Sequence, residues 1–188
     1  MIFVTVGTHE QQFDRLVRKM DELKETGEVQ EQVVVQTGYS TFHPMHCMWK
    51  QWFQYEEIYE YMKRARIIIT HGGPASFLMP VQMGKVPVVV PRLKEYGEHV
   101  NDHQKEFAGS LKDTEAGIIV VDKIDELGDV LKNYDRYAQM LKRNDYQSNN
   151  LRFNSRLEAE ADGLLAGHGA KSMHKMSRHS AGKIEREQ

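Results

Sequence analysis

Cysteine is almost missing from this chain. Cys47 stands alone, so no disulfide can form within it, and a single thiol fits a reducing compartment. No apolar run approaches the ~20 residues that a membrane-spanning helix needs. The opening run Ile2-Phe3-Val4-Thr5-Val6 is too short for a signal peptide and lacks its flanks. An excess of one charge is missing as well: the formal net charge is −2, which offers no basic surface for nucleic acid. There is no internal repeat. The dinucleotide fingerprint is absent too, because Gly7 is followed by Thr8, His9, Glu10, Gln11 and Gln12, which disfavours a nicotinamide or flavin enzyme. The expectation is a soluble, cytoplasmic chain that reaches a membrane only through a partner or a surface patch.

What is present is an alternation of strand-like and helical runs. At 188 residues and 40% hydrophobic, the chain has the size of one domain with a real core. The pattern predicts strands at Ile2–Val6, Val33–Val35, Ile67–Thr70, Val86–Val90 and Gly117–Val121. Helices are expected at Phe13–Leu23, Tyr55–Ala65, Ala75–Met83, His99–Leu111 and Ile124–Asn133. The first has Phe13, Leu16, Val17 and Met20 at i, i+3, i+4, i+7 spacing. Strict alternation implies an α/β fold, a Rossmann-like parallel sheet with helices on both faces. Ligands in such sheets sit beyond the carboxyl ends of the strands. The loops of interest are therefore Gly7–Gln12, Gly38–Met48, His71–Ser76 and Pro91–Asn101.

The most informative stretch is Ile67-Ile68-Ile69-Thr70-His71-Gly72-Gly73-Pro74-Ala75-Ser76. A β-branched run ends at two glycines, and Pro74 suits the first turn of a helix because its missing N–H costs nothing there. Helix N–H groups then face the space above the sheet, which is how α/β proteins hold phosphate. Gly7-Thr8 ends the first strand and can join that site through its backbone and the Thr8 hydroxyl. Glu98-His99-Val100-Asn101-Asp102-His103-Gln104 gathers polar groups at a predicted helix start. Asn101 or Asp102 there serves as a cap, or the cluster binds sugar and phosphate. His99 and His103 have i, i+4 spacing, but the zincin glutamate is absent and no metal is expected. The aromatic group Trp49, Trp52, Phe53, Tyr55, Tyr59 and Tyr61 is open between core stripe, nucleobase cover and protein interface. From Ala166 to Gln188 five basic residues stand against two acidic ones, with almost no large apolar side chains. That composition predicts a flexible basic tail after a domain covering residues 1–165.

Five ordered motifs carry a resemblance: Gly7-Thr8-His9-Glu10-Gln11-Gln12-Phe13, Gln36-Thr37-Gly38-Tyr39, Thr70 to Phe77, Gly84 to Arg92, and Glu98 to Gln104. Over roughly residues 1 to 155 the chain resembles the glycosyltransferase family 28 C-terminal domain. It is most similar to the catalytic subunits of split bacterial capsular and exopolysaccharide glycosyltransferases. These in turn resemble the catalytic half of the eukaryotic two-subunit transferase that builds the dolichol-diphosphate disaccharide. The resemblance implies the donor-binding half of a GT-B enzyme, taking a UDP-sugar and needing no cofactor. It also implies a separate membrane-associated subunit that holds a lipid-diphosphate-linked acceptor at the inner face of the cell membrane. Gly7 and Thr8 match the first phosphate-side loop, and His71, Gly72, Gly73, Ala75 and Ser76 match the second. His103 and Gln104 fall where the family contacts donor sugar and diphosphate. Met79 stands where relatives place a ribose-binding glutamate. His9, Glu10 and His99 are the candidates for a catalytic base within this chain. The rival expectation is a nucleotide-sugar-binding accessory protein without chemistry; a GT-B epimerase would need both domains in one chain.

Overall fold

In the computed structural model, residues 1–112 and 116–143 are described, all within one compact unit, Met1–Tyr146. Leu151, Leu157, Leu164 and Leu165, which the sequence suggests lie on a helix that contacts the partner subunit, and the basic tail fall outside the described residues. Six parallel strands form the sheet: β1 (Ile2–Thr5), β2 (Val33–Gln36), β3 (Met48–Lys50), β4 (Ile67–His71), β5 (Val88–Val90) and β6 (Ile119–Val120). Between and after them run α1 (Asp14–Glu25), α2 (Tyr55–Arg64), α3 (Pro74–Gln82), α4 (His103–Leu111), α5 (Leu127–Lys132) and α6 (Tyr134–Arg143). The strand order is β3-β2-β1-β4-β5-β6, every neighbour parallel. The chain winds outward from β1 in one direction and from β4 in the other, so the topological switch point lies between β1 and β4.

The period of two along each strand divides the core. Ile2, Val4, Val33, Val35, Ile67, Ile69, Val88 and Val90 pack with Leu16, Val17 and Met20 of α1 and with Leu127, Leu131 and Ala138 further on. The intervening Phe3, Val34 and Ile68 face Met62 and Ile58 of α2. Val89 and Val120 face Phe77 and Val81 of α3 and Ala108 of α4. Both faces of the sheet are therefore covered, as its near-continuous apolar strands require. The Tyr134 hydroxyl closes the first layer by donating to the Val86 carbonyl at 2.8 Å.

Three expectations change. Met48–Lys50 is a strand at the open edge, and Trp49 sits on it rather than in a loop. All three residues are exposed, so no buried alternation marks them. Second, α2 turns Ile58 and Met62 inward, leaving Tyr55 64% and Tyr59 41% exposed; they are not a core stripe. Third, the helix expected from His99 starts at His103, because residues 98–102 form a turn.

The loop joining β2 to β3 is held by two carboxylates of α1. Asp14 accepts from the Thr41 N–H (2.7 Å), the Thr41 hydroxyl (2.6 Å) and the Phe42 N–H (3.1 Å). Asp21 accepts from the N–H groups of Met45 (3.0 Å), His46 (2.7 Å) and Cys47 (3.1 Å). Burial opposes charge on Asp21, but these hydrogen bonds outweigh it and hold the carboxyl below its ordinary range. Cys47 lies beneath, its thiol pushed up to about 12 by burial and by Asp21, so it is inert.

Candidate functional site

The loops after β1, β4 and β5 meet over the switch point, and the His71 ring joins them. His71 ends β4 and accepts the Gly73 N–H at Nδ1, 3.0 Å away, which leaves the ring proton on Nε2. A Cβ at Gly73 would overlap one edge of this ring, and a Cβ at Gly7 would overlap the other. Gly7 also has φ of +75°, which an L side chain resists. The two glycines are thus needed for close approach, with an imidazole wedged between them. Burial, then the Arg92 charge, depresses the His71 pKa to about 4, so the ring is neutral near pH 7.

Gln104, at the start of α4, fixes the third side. Its Oε1 accepts from the Gly72 N–H (3.1 Å) and the Arg92 N–H (3.3 Å), using both lone pairs. A Cβ at Gly72 would stand 3.0 Å from that of Gln104, so this glycine too serves close packing. The Ser76 hydroxyl is occupied by the carbonyls of Gly73 (2.6 Å) and His71 (2.9 Å). Its N–H bonds the Gly73 carbonyl at 3.0 Å. The N–H groups of Gly72, Gly73 and Ser76 are therefore spoken for inside the protein. That of Ala75, with Pro74 before it in the first turn of α3, has no partner among the described residues and faces out of the helix start. Thr8, on the first loop, is exposed.

His9 and His99 come together, their ring centroids 4.6 Å apart. His9 is half-buried, its Nε2 shut off from solvent without a hydrogen-bond partner. The Asn101 N–H donates to His99 Nδ1 at 3.3 Å, and Asn101 Oδ1 accepts from the His103 N–H at 3.2 Å. Asn101 thus tops the helix, while Asp102 accepts from the Lys94 N–H at 3.0 Å. His99 packs against His9 in the turn before α4, so it does not share a helix face with His103. His103 and Glu10 are exposed. Met79 packs beside the cluster of Phe3, Val34 and Met62.

Sequence reasoning passed over Arg92 and Glu98 as functional groups, although both stood in the quoted motifs. Each is 0% exposed. The Arg92 guanidinium donates to the carbonyls of Val6 (2.8 Å), Gln11 (2.8 Å), Gln12 (3.0 Å) and Glu98 (3.0 Å). Glu98 is engaged elsewhere, accepting from Arg15 Nε (2.9 Å) and Nη2 (2.8 Å) and from the Leu93 N–H (2.9 Å). Among the described residues no carboxylate forms an ion pair with Arg92. Desolvation lowers its pKa to about 10, still charged at neutral pH. One signal was available: an arginine directly behind Pro91, at the carboxyl end of an all-valine strand.

A model of the glycosyltransferase family 28 C-terminal domain matches residues 1–160. The chain belongs to that family. A comparison with curated proteins returned no match. Among solved structures, the glycosyltransferase of kitacinnamycin superposes with a TM-score of 0.57 at 16% identity, over 79% of this chain and 40% of that one. CalG4, the calicheamicin glycosyltransferase, superposes with a TM-score of 0.54 at 15% identity, over 84% of this chain and 42% of that one. This family 28 domain therefore spans less than half the length of either structure. At such identities the likeness is one of fold: a Rossmann-like half of the GT-B architecture. No described helix is long and apolar enough to cross a membrane.

Proposed function

We propose that this family 28 domain is the donor-binding, catalytic subunit of an inverting glycosyltransferase. It moves a sugar from a UDP-sugar to a lipid-diphosphate-linked saccharide in capsule or exopolysaccharide synthesis. The observation that carries this reading is the charge at the switch point: a fully buried arginine without a carboxylate partner, under loops packed by Gly7, Gly72 and Gly73. Such a cleft suits an anion at the carboxyl ends of parallel strands. The uridine base, the lipid-linked acceptor and the membrane-associated partner follow from the resemblance of the five ordered motifs.

In this mechanism the acceptor hydroxyl attacks the anomeric carbon in line while UDP departs. Arg92, the Ala75 N–H and the start of α3 stabilise charge on the leaving diphosphate. His71 Nδ1 and Gln104 Oε1 brace the loops by holding Gly73, Gly72 and Arg92, while the His71 Nε2–H and the Gln104 NH2 are the groups through which these residues would meet the donor. The general base is His9, Glu10 or His99 of this chain or a group of the partner subunit; that neither histidine hydrogen-bonds a carboxylate among the described residues favours the partner. The partner also closes the donor cleft against water, a competing nucleophile.

The test has two stages. UDP should raise the melting temperature of the chain more than UMP, which lacks the second phosphate. Equal stabilisation would remove the diphosphate site. Radiolabel transfer from a UDP-sugar to lipid-linked acceptor should then be slow with the chain alone and fast once the partner is added. Binding without transfer in the complete complex would favour the accessory-protein reading.

A further inference from the structure

We propose that His9, packed against His99 with the rings tilted, takes up a proton when the diphosphate of a nucleotide-sugar occupies the site above these loops, so that donor binding is proton-linked. The inference rests on the reading that this cleft holds the donor's diphosphate, and adds a titrating contact to it. Its basis is geometric. The His9 Nε2 and the Gln11 Oε1 are both closed off from solvent, and neither makes a hydrogen bond of good geometry. In the protonated ring both nitrogens carry hydrogen, so Nε2–H can meet that oxygen while Nδ1–H remains as a second donor.

The charged surroundings say when that happens. Facing His9 are His99 and Arg92 from the segment after β5, His71 from the end of β4, and Glu10 and Gln11 from its own loop. Burial, His99 and Arg92 disfavour a proton on His9, outweighing Gln11 and the exposed Glu10, and its pKa is lowered. The buried carboxylate of Glu98 acts on Arg92, but its hydrogen bonds go to Arg15 and the Leu93 N–H. His9 thus neighbours a buried guanidinium whose positive charge disfavours a proton on its own ring. A diphosphate bound over these loops adds negative charge to the surroundings of His9 and shifts that balance toward the proton. His71 cannot respond in its place, because its Nδ1 is held by Gly73 within the loop packing.

The sign follows from linkage. The bound-state pKa of His9 lies above its free-state value. Affinity is therefore greatest below the free-state pKa, falls as pH rises between the two, and levels off above the bound-state pKa. Within that window the slope is at most about tenfold per pH unit for one proton.

The experiment is calorimetric titration of the full chain with UDP-glucose, whose diphosphate does not titrate near neutrality. It is run in buffers of differing ionisation enthalpy, from about pH 5.5 to about pH 8.5. The expected result is net uptake approaching about one proton per donor, with affinity weakening as pH rises. His9→Gln should bind UDP-glucose without uptake and with a flattened pH profile. His43→Gln, on the Trp49 side of the molecule, should keep the wild-type uptake. Buffer-independent heats with pH-independent affinity would overturn the proposal, as would full uptake in folded His9→Gln. Should His9→Gln not fold, NMR titration of the wild-type imidazoles decides: if no ring gains a proton with UDP-glucose, the proposal fails. Absence of any UDP-glucose binding is a different result. It removes the diphosphate reading itself.

Discussion

Two sets of loops leave the carboxyl end of the same sheet and are anchored by opposite chemistry. The loop after β2 is pinned by the carboxylates of Asp14 and Asp21, each collecting backbone N–H groups. The loops after β1, β4 and β5 are pinned by Arg92, Gln104 and His71. A carboxylate anchor uses up N–H donors and leaves negative charge behind. A guanidinium anchor uses up carbonyls and leaves positive charge behind. The second choice supplies the positive charge that the proposed donor site needs, while the first leaves negative charge under the loop after β2.

The largest effect should come from removing the cationic anchor. Arg92→Leu strands the carbonyls of Val6, Gln11, Gln12 and Glu98 and should cost about 3–5 kcal/mol, read by urea unfolding. A cost under about 1 kcal/mol would mean that water replaces the guanidinium freely. Next is the anionic anchor. Asp21→Ala leaves the Met45, His46 and Cys47 N–H groups unpaired and should cost about 2–3 kcal/mol. The pH dependence sharpens this. Asp14 and Asp21 both have lowered folded-state pKa values, so their stabilisation is complete above the unfolded value near ~3.9 and is lost as pH falls through the folded value. Asp21→Asn should therefore flatten the acid limb of a stability-versus-pH curve. An unchanged limb would assign acid unfolding to other carboxylates, such as Glu31, held down to about 2 chiefly by Arg66.

A smaller difference separates two glycines with the same backbone. Gly7 has φ of +75° and Gly27 has φ of +78°, but only at Gly7 does an added Cβ meet another group, the His71 ring. Gly7→Ala should cost about 1–3 kcal/mol more than Gly27→Ala and should also weaken UDP binding. Equal costs would show that His71 swings aside. The smallest effect is at Cys47: a thiol reagent at neutral pH should leave the folded chain unmodified until it unfolds.

Much of this arrangement was legible in the residues. The runs Ile2–Val6 and Ile67–Ile69 are β-branched and apolar because those strands are central and covered on both faces. The switch point beside His71-Gly72-Gly73 follows from them. Strand β3 was not legible, since Met48, Trp49 and Lys50 are held by ladder hydrogen bonds at an edge and bury little. The turn at residues 98–102 reads as helix because its polar residues also suit a helix start; only the long-range bonds of Glu98 to Arg15 and Leu93 pull it out of line. Arg92 was hidden for the same reason. Its partners are backbone carbonyls spread from Val6 to Glu98, and no local pattern registers a carbonyl.

The glycine loop carries a consequence for binding entropy. Two adjacent glycines would ordinarily be the most mobile pair in the chain, and ordering them on a ligand would consume part of the interaction energy. Here Gly72 is tied to Gln104 and Gly73 to His71 before any ligand arrives. The freezing of the loop is charged to folding and not to binding, so donor affinity should depend only weakly on loop flexibility. Substitutions that loosen the tie, such as Gln104→Ala, should then appear as a less favourable binding entropy with little change in the contacts made.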